Sequence, residues 1–154
     1  MDLIQAETSQ QIHTARELFR EYEAWVGISL CFQSFEFEVA NLPGDYRMPS
    51  GRLLLASEED QTAGCIALRK LTDDTCEMKR LYLRPQYRGR GLGHAMVERI
   101  IVDGRFIGYR RMRLDTLPGR MDKAIALYEQ FGFRDIPPYY DNPVAGARFM
   151  ELIL

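Results

Sequence analysis

Between residues 79 and 94 the chain reads Lys-Arg-Leu-Tyr-Leu-Arg-Pro-Gln-Tyr-Arg-Gly-Arg-Gly-Leu-Gly-His, which places three glycines within five residues. An apolar strand running into a glycine-rich turn that opens onto a helix is an arrangement for holding an anion. Glycine lets the backbone approach a ligand closely and adopt positive φ without penalty. The first N–H groups of a helix lack intrahelical partners, and the helix dipole adds about half a positive charge there. Such an end suits a phosphate. Two familiar phosphate loops are excluded: no Gly-Lys-Ser/Thr ending follows, and the Gly89, Gly91, Gly93 spacing with His at 94 does not fit the dinucleotide fingerprint. Taken alone, the three glycines also read as a tight turn without a ligand.

The residues on either side carry a resemblance. Arg88, Gly91 and Gly93, following Leu-Tyr-Leu-Arg-Pro, fill the [RQ]-x-x-G-x-[GA] acyl-CoA motif of the GNAT superfamily of N-acetyltransferases. Further on, Ala-Ile-Ala-Leu-Tyr-Glu-Gln-Phe-Gly-Phe at 124–133 resembles that family's A-x-x-L-Y-x-x-x-G-F segment, at the right distance. The resemblance implies a single-domain GNAT-like α/β fold with a central mixed, mostly antiparallel sheet flanked by helices. It implies acetyl-CoA as co-substrate, with Arg88 and the backbone of Gly89, Arg90, Gly91, Leu92, Gly93 and His94 around the pyrophosphate. The backbone of Leu81, Tyr82 and Leu83 would pair with the pantetheine as an added strand, and one of its N–H groups would stabilise the oxyanion. The acceptor amine would attack the thioester directly, without a covalent enzyme intermediate.

Tyr128 then occupies the position of the general acid that protonates the departing thiolate; a phenol near pKa 10 is matched to a thiol of about 8.5. On helical spacing alone it would be a core aromatic beside Leu127 and Phe131. Glu77 and Asp115 lie on strands where the family places acids, and alternation points them at the cleft. Either is a candidate base, with Glu77 placed ahead, and either is equally a charge partner for Lys79, Arg111 or Arg113. Met121 departs from the family, many of whose members carry a CoA-contacting Asn there. His94 would act through its backbone, and His13 would be solvated. Trp25, Phe32, Phe35 and Phe37 read as core or cleft wall. The loop Tyr139, Tyr140, Asp141, Asn142, Pro143 reads as a rigid wall for acceptor contacts or as lid packing.

The elements that must position these groups are legible. Residues 3–6 form a short strand. Thr8 and Gln11 fit a capping box, and Ile12, Ala15, Phe19, Tyr22 and Val26 follow at helical spacing up to Gly27. A short helix spans 35–42. Residues 52–57 and 61–70 form a hairpin across an acidic turn. Residues 76–83 alternate, with Met78 and Tyr82 on one face and Glu77, Lys79, Leu81 and Leu83 on the other. Then come a helix from 91 to about 104, a strand over 110–116, a helix over 124–131 closed by Gly132, a strand from 133 and a last strand over 148–154. The order is β-α-α-β-β-β-α-β-α-β-β.

Composition sets the outer bounds. With 154 residues, 46% hydrophobic and 27% charged, the chain is expected to be one N-acetyltransferase domain over 1–154. Net charge is −2, yet residues 79–113 carry ten Lys/Arg against two acids, which favours a small anionic ligand over nucleic acid. No apolar run approaches the roughly 20 residues of a membrane span, no secretory signal is expected from the first residues, and Cys31, Cys65 and Cys76 read as buried, reduced thiols. A cytoplasmic protein without a metal is therefore expected, with a small-molecule amine as its partner and neither nucleic acid nor membrane. A homodimer is compatible with the sequence. The alternatives are a non-catalytic CoA-binding sensor, a protein N-terminus as acceptor, and a nucleotide-binding domain, the last disfavoured by the missing phosphate-loop residues. A screen of acyl-CoA hydrolysis and amine acetylation separates enzyme from sensor.

Overall fold

A computed structural model describes all 154 residues. One seven-stranded sheet runs through the molecule in the order β1-β2-β3-β4-β5-β7-β6. The strands are β1 (Asp2–Gln5), β2 (Arg52–Glu58), β3 (Gln61–Lys70), β4 (Thr75–Leu83), β5 (Arg111–Thr116), β6 (Arg134–Ile136) and β7 (Arg148–Ile153). Every neighbouring pair is antiparallel except β4 with β5. The mixed, mostly antiparallel sheet and the full element order match the sequence reading.

Helices α1 (Ser9–Val26) and α2 (Phe35–Ala40) cover one face, and α3 (Leu92–Ile107) and α4 (Asp122–Phe131) cover the other. The capping box forms as read: Thr8 Oγ1 accepts from the Gln11 N–H at 3.2 Å, and the Gln11 side chain accepts from the Thr8 N–H at 3.0 Å. Because β2 and β3 are buried on both faces, their side chains divide alternately between two cores. Leu54, Ala56, Ile66 and Leu68 join α3, while Leu53, Leu55, Cys65 and Ala67 join α1 and α2. The acidic hairpin turn places Glu59 and Asp60 at φ of 50° and 62°, the geometry of a two-residue primed turn.

The alternation read along 76–83 fails at Arg80. Lys79 pairs with Ala67 and Tyr82 with Cys65, so β4 carries one residue more than β3 across that interval. The extra residue is Arg80, at φ 59°, and this bulge reverses the facing of everything after it. Met78 therefore packs under α3 while Tyr82 packs under α1, where strict alternation had put them together. A left-handed conformation costs a non-glycine residue about 1–2 kcal/mol, and the side chain is held correspondingly well. Arg80 donates to both Glu38 carboxylate oxygens at 2.9 and 3.1 Å and stacks over Phe35 and Tyr22. Farther along, where β3 meets Leu83, only glycine fits: a Cβ at Gly64 would lie 2.0 Å from the Tyr82 carbonyl oxygen.

Two further expectations are corrected. Cys31 is exposed, unlike Cys65 and Cys76, because it starts a 3-10 turn in the connection between α1 and α2. Phe37 lies on the outer side of α2 and is 71% exposed, so it belongs to neither core nor cleft. No helix is long and apolar enough to cross a membrane.

Candidate active site

The parallel pairing of β4 with β5 covers only Thr75–Arg111, Cys76–Met112 and Glu77–Arg113. Beyond it the strands diverge, and the gap is the mouth of a cleft. Met78, Lys79, Arg80 and Leu81 line it from β4, and Leu114, Asp115, Thr116 and Leu117 from β5 and its end. Tyr22, Trp25, Ile28, Leu30, Phe32 and Gln33 close one side and Met121, Ala124 and Tyr128 the other. Arg120 ties the two sides together by donating to the Val26 carbonyl at 2.6 Å. Past Glu77, β4 thus has an edge with no β5 partner, as strand addition by an extended ligand requires.

That edge leads directly to the glycine turn. Gly91, at φ 81°, is the residue before α3, and no side chain caps the helix there. The N–H groups of Leu92, Gly93 and His94 begin the helix and are free of intrahelical bonds. A Cβ on Gly89 or Gly91 would meet nothing within 4 Å, so the space above the loop is open. Gly93 is tighter, facing Leu83 and Leu127 at 3.8 Å. Arg88 folds back across the loop: its Nε donates to the Leu83 carbonyl at 2.8 Å and its guanidinium stacks over Trp25 and Tyr82. Arg90 pairs with Glu58 at 2.6 Å. The His94 ring rests against Phe131.

Tyr128 stands on the buried face of α4, against Phe133, and also lines the cleft. Burial, with smaller contributions from Tyr22 and Asp115, pushes its phenol well above the ordinary value, and no hydrogen bond to the chain contributes. A phenol in this setting keeps its proton at neutral pH.

The two carboxylates part company. Glu77 is fully buried and absent from the cleft wall. Its Oε1 accepts from Arg69 at 2.8 Å with Lys79 at 3.7 Å, and its Oε2 accepts from Tyr139 at 2.5 Å. Burial alone would raise its pKa, but the Lys79 and Arg69 charges and the Tyr139 hydroxyl together hold it below the usual carboxylate range. The expectation that Glu77 points into the cleft is corrected: it is a buried charge partner, chiefly of Arg69, which the sequence reading did not name, with Lys79 farther off and Arg111 and Arg113 turned to Glu151 instead. Asp115 does line the cleft. Its Oδ2 collects Tyr140 Oη, Gln33 Nε2 at 3.3 Å and Asn142 Nδ2 at 3.1 Å. Burial and the neighbouring Asp115 keep the Tyr140 hydroxyl protonated. Tyr140 and Asn142 thus reach the cleft wall through Asp115, and the Tyr139 and Tyr140 rings pack edge-on against Phe149.

Sequence reading did not single out Gln33, Lys79 or Arg80 as cleft groups. Gln33 links the whole: its Oε1 accepts from Arg80 at 2.9 Å and Lys79 at 3.4 Å while its Nε2 reaches Asp115 and Tyr140. It lies in an irregular connection with no periodicity to mark it. Met121, where an Asn is common in the resembling family, meets the cleft and accepts from Thr116 Oγ1 at 3.4 Å.

The model of the acetyltransferase (GNAT) family matches residues 12–133. An uncharacterised N-acetyltransferase of Schizosaccharomyces pombe is 40% identical over 145 residues, covering 93% of this chain and 88% of its own. An acetyltransferase structure from Streptococcus agalactiae superposes with a TM-score of 0.78 at 25% identity, over 99% of this chain and 98% of that one. The PaiA N-acetyltransferase of Thermoplasma acidophilum, solved in complex with coenzyme A, gives 0.74 at 19% identity over 100% of both. With its sheet, its splayed β4 and β5 and its glycine loop in the order that family uses, the chain belongs to the GNAT family of acetyltransferases.

Proposed function

We propose that the protein transfers the acetyl group of acetyl-CoA to the primary amine of a small molecule, by direct attack, in the cytoplasm. The observation that carries this reading is the position of Tyr128: a protonated phenol, with no hydrogen-bond partner in the chain, on the wall of the cleft where β4 and β5 separate. The residues present fit the co-substrate. The open glycine turn and the α3 N-terminus form an anion cradle, and the unpaired β4 edge at Leu81, Tyr82 and Leu83 offers backbone groups along the route from cradle to cleft. The coenzyme A in the Thermoplasma acidophilum structure supports the same reading. Three cysteines without a disulfide agree with a cytoplasmic setting.

When bound, acetyl-CoA supplies an acetyl group activated as a thioester, whose C–S bond breaks as the acceptor nitrogen bonds the carbonyl carbon. The chain's residues do the rest. Asp115, rather than Glu77, takes the proton that turns the acceptor's ammonium into a nucleophile. A backbone N–H on β4 stabilises the charge developing on the carbonyl oxygen. Tyr128 gives its proton to the departing sulfur and regains one from solvent, and the nitrogen releases its second proton on forming the amide. Net, one ammonium and one thioester become one amide, one thiol and one released proton.

The test is thiol release from acetyl-CoA across a panel of primary amines, with products weighed by mass spectrometry. Acetylated amine formed at a rate above spontaneous aminolysis is the expected result. Tight acetyl-CoA binding with no acetylated product from any amine would favour the sensor reading instead.

A further inference from the structure

The two strands that splay at the cleft present opposite charges to each other, and each charge has bonding capacity left over. On β5, all three donors to Asp115 converge on Oδ2, so that Oδ1 has no protein partner. On β4, the Lys79 side chain is 5% exposed, and its ammonium has only Gln33 Oε1 at 3.4 Å and Glu77 Oε1 at 3.7 Å. Both exceed the roughly 2.7–2.9 Å of a charge-assisted bond, and an ammonium carries three donors. Glu77 is already committed to Arg69 and Tyr139. Asp115 and Lys79 form no ion pair with each other; Gln33 stands between them and touches both. Beside them, Ile28, Leu30 and Phe32 give the cleft an apolar wall.

We propose that Asp115 and Lys79 together recognise a zwitterion, so that the acceptor is an α-amino acid with an apolar side chain. Its ammonium lies on Asp115 Oδ1, its carboxylate on Lys79 Nζ, and its side chain against Ile28, Leu30 and Phe32. The assignment rests on the transferase reading and narrows its acceptor. A bound carboxylate supplies the close, directly hydrogen-bonded counter-charge that Glu77, at 3.7 Å and shared with Arg69, does not. Burial and the adjacent Arg80 lower the pKa of Lys79, Glu77 and Asp115 oppose them, and the ligand would add to the opposing side. A simple alkylamine satisfies Asp115 but leaves the lysine as it is, so it forgoes a charge-assisted bond.

The decisive comparison pairs each amino acid with its decarboxylated amine: leucine with 3-methylbutylamine, and phenylalanine with 2-phenylethylamine. With wild-type protein, kcat/KM for the amino acid is expected to exceed that for the amine by about tenfold or more, the scale of one charge-assisted hydrogen bond. Lys79→Met, which keeps the length of the stem, should erase that preference, bringing kcat/KM for the amino acid to that for its paired amine. Calorimetry with CoA present reads binding without turnover and should show leucine but not 3-methylbutylamine. Amines acetylated as well as amino acids would overturn the zwitterion site and leave the transferase standing. Leucine binding without acetyl transfer to any amine would do the reverse. The wild-type arms need no variant, so a misfolded Lys79→Met would leave the outcome decided.

Discussion

The two halves of the cleft are built on different plans. The half assigned to the co-substrate is contiguous: β4, the glycine turn and the start of α3 follow one another within residues 78–94, and what they offer is mostly backbone. The half assigned to the acceptor is stitched from distant places, with Gln33 between two helices, Lys79 and Arg80 at the bulge, Asp115 on β5, and Tyr140 and Asn142 on the loop before β7. Backbone recognition needs a local fold and tolerates many side chains, so it leaves a compact motif. Side-chain recognition needs a tertiary fold to assemble it, and no local pattern announces it. An ancestral fold can therefore keep the first half while the second changes.

Four substitutions probe that division, from the largest effect down. Tyr128→Phe retains the packing and removes only the proton donor, so kcat should fall by about 10²–10⁴ while acetyl-CoA affinity by calorimetry holds. An unchanged kcat would reduce Tyr128 to a packing residue and take the chemistry out of this cleft. Asp115→Asn comes next. Three donors converge on Oδ2 and would draw the new amide oxygen to their side, presenting an NH₂ to the acceptor; kcat/KM for the amine should fall about 10²-fold with acetyl-CoA binding intact. Equal activity would mean that water removes the proton.

Glu77→Gln tests the contrast between the two acids. It leaves Lys79 and Arg69 without their shared carboxylate and should cost about 3 kcal/mol of stability by denaturant titration, with little change in the shape of the pH–rate profile. The sign follows from the depressed pKa: the carboxylate's contribution is full above the unfolded value of about 4.3 and is lost as pH falls through the lower folded value. The deficit of the variant should therefore narrow in acid below about pH 4. A Glu77→Gln protein of normal stability but altered pH–rate profile would return Glu77 to the catalytic list. The smallest effect is expected of Gly91→Asp. Aspartate tolerates positive φ better than most residues, so the fold should survive, while its carboxylate competes with an anion for the α3 N-terminus. Acetyl-CoA affinity should drop about tenfold; an unchanged Kd would move the anion site elsewhere.

How much of this was open to sequence reading divides along the same line. Periodicity and caps located every strand and the helices, because amphipathic spacing, the Thr8–Gln11 box and Gly132 after α4 are local signals. Alternation failed on β4 because the bulge at Arg80 depends on Glu38, Phe35 and Tyr22, more than forty residues upstream. The reading of Glu77, which precedes the bulge, went astray for another reason: alternation supplies parity but not depth, and Tyr139 closes over the carboxylate from the far end of the chain. The loop at 139–143 could be flagged by its composition, whereas its hold on Asp115 could not.

One contact has a use of its own. Trp25 is the single tryptophan of the chain, and it sits 40% exposed at the cleft with the Arg88 guanidinium 5.0 Å above its ring. Indole emission responds to a nearby cation and to water, and here both are set by a side chain from the glycine turn. Anything that draws Arg88 toward a phosphate must lift it from the indole, so the protein carries a built-in optical reporter. A fluorescence titration with desulfo-CoA or acetyl-CoA would follow loop engagement without a label, and rapid mixing would time it separately from the chemistry.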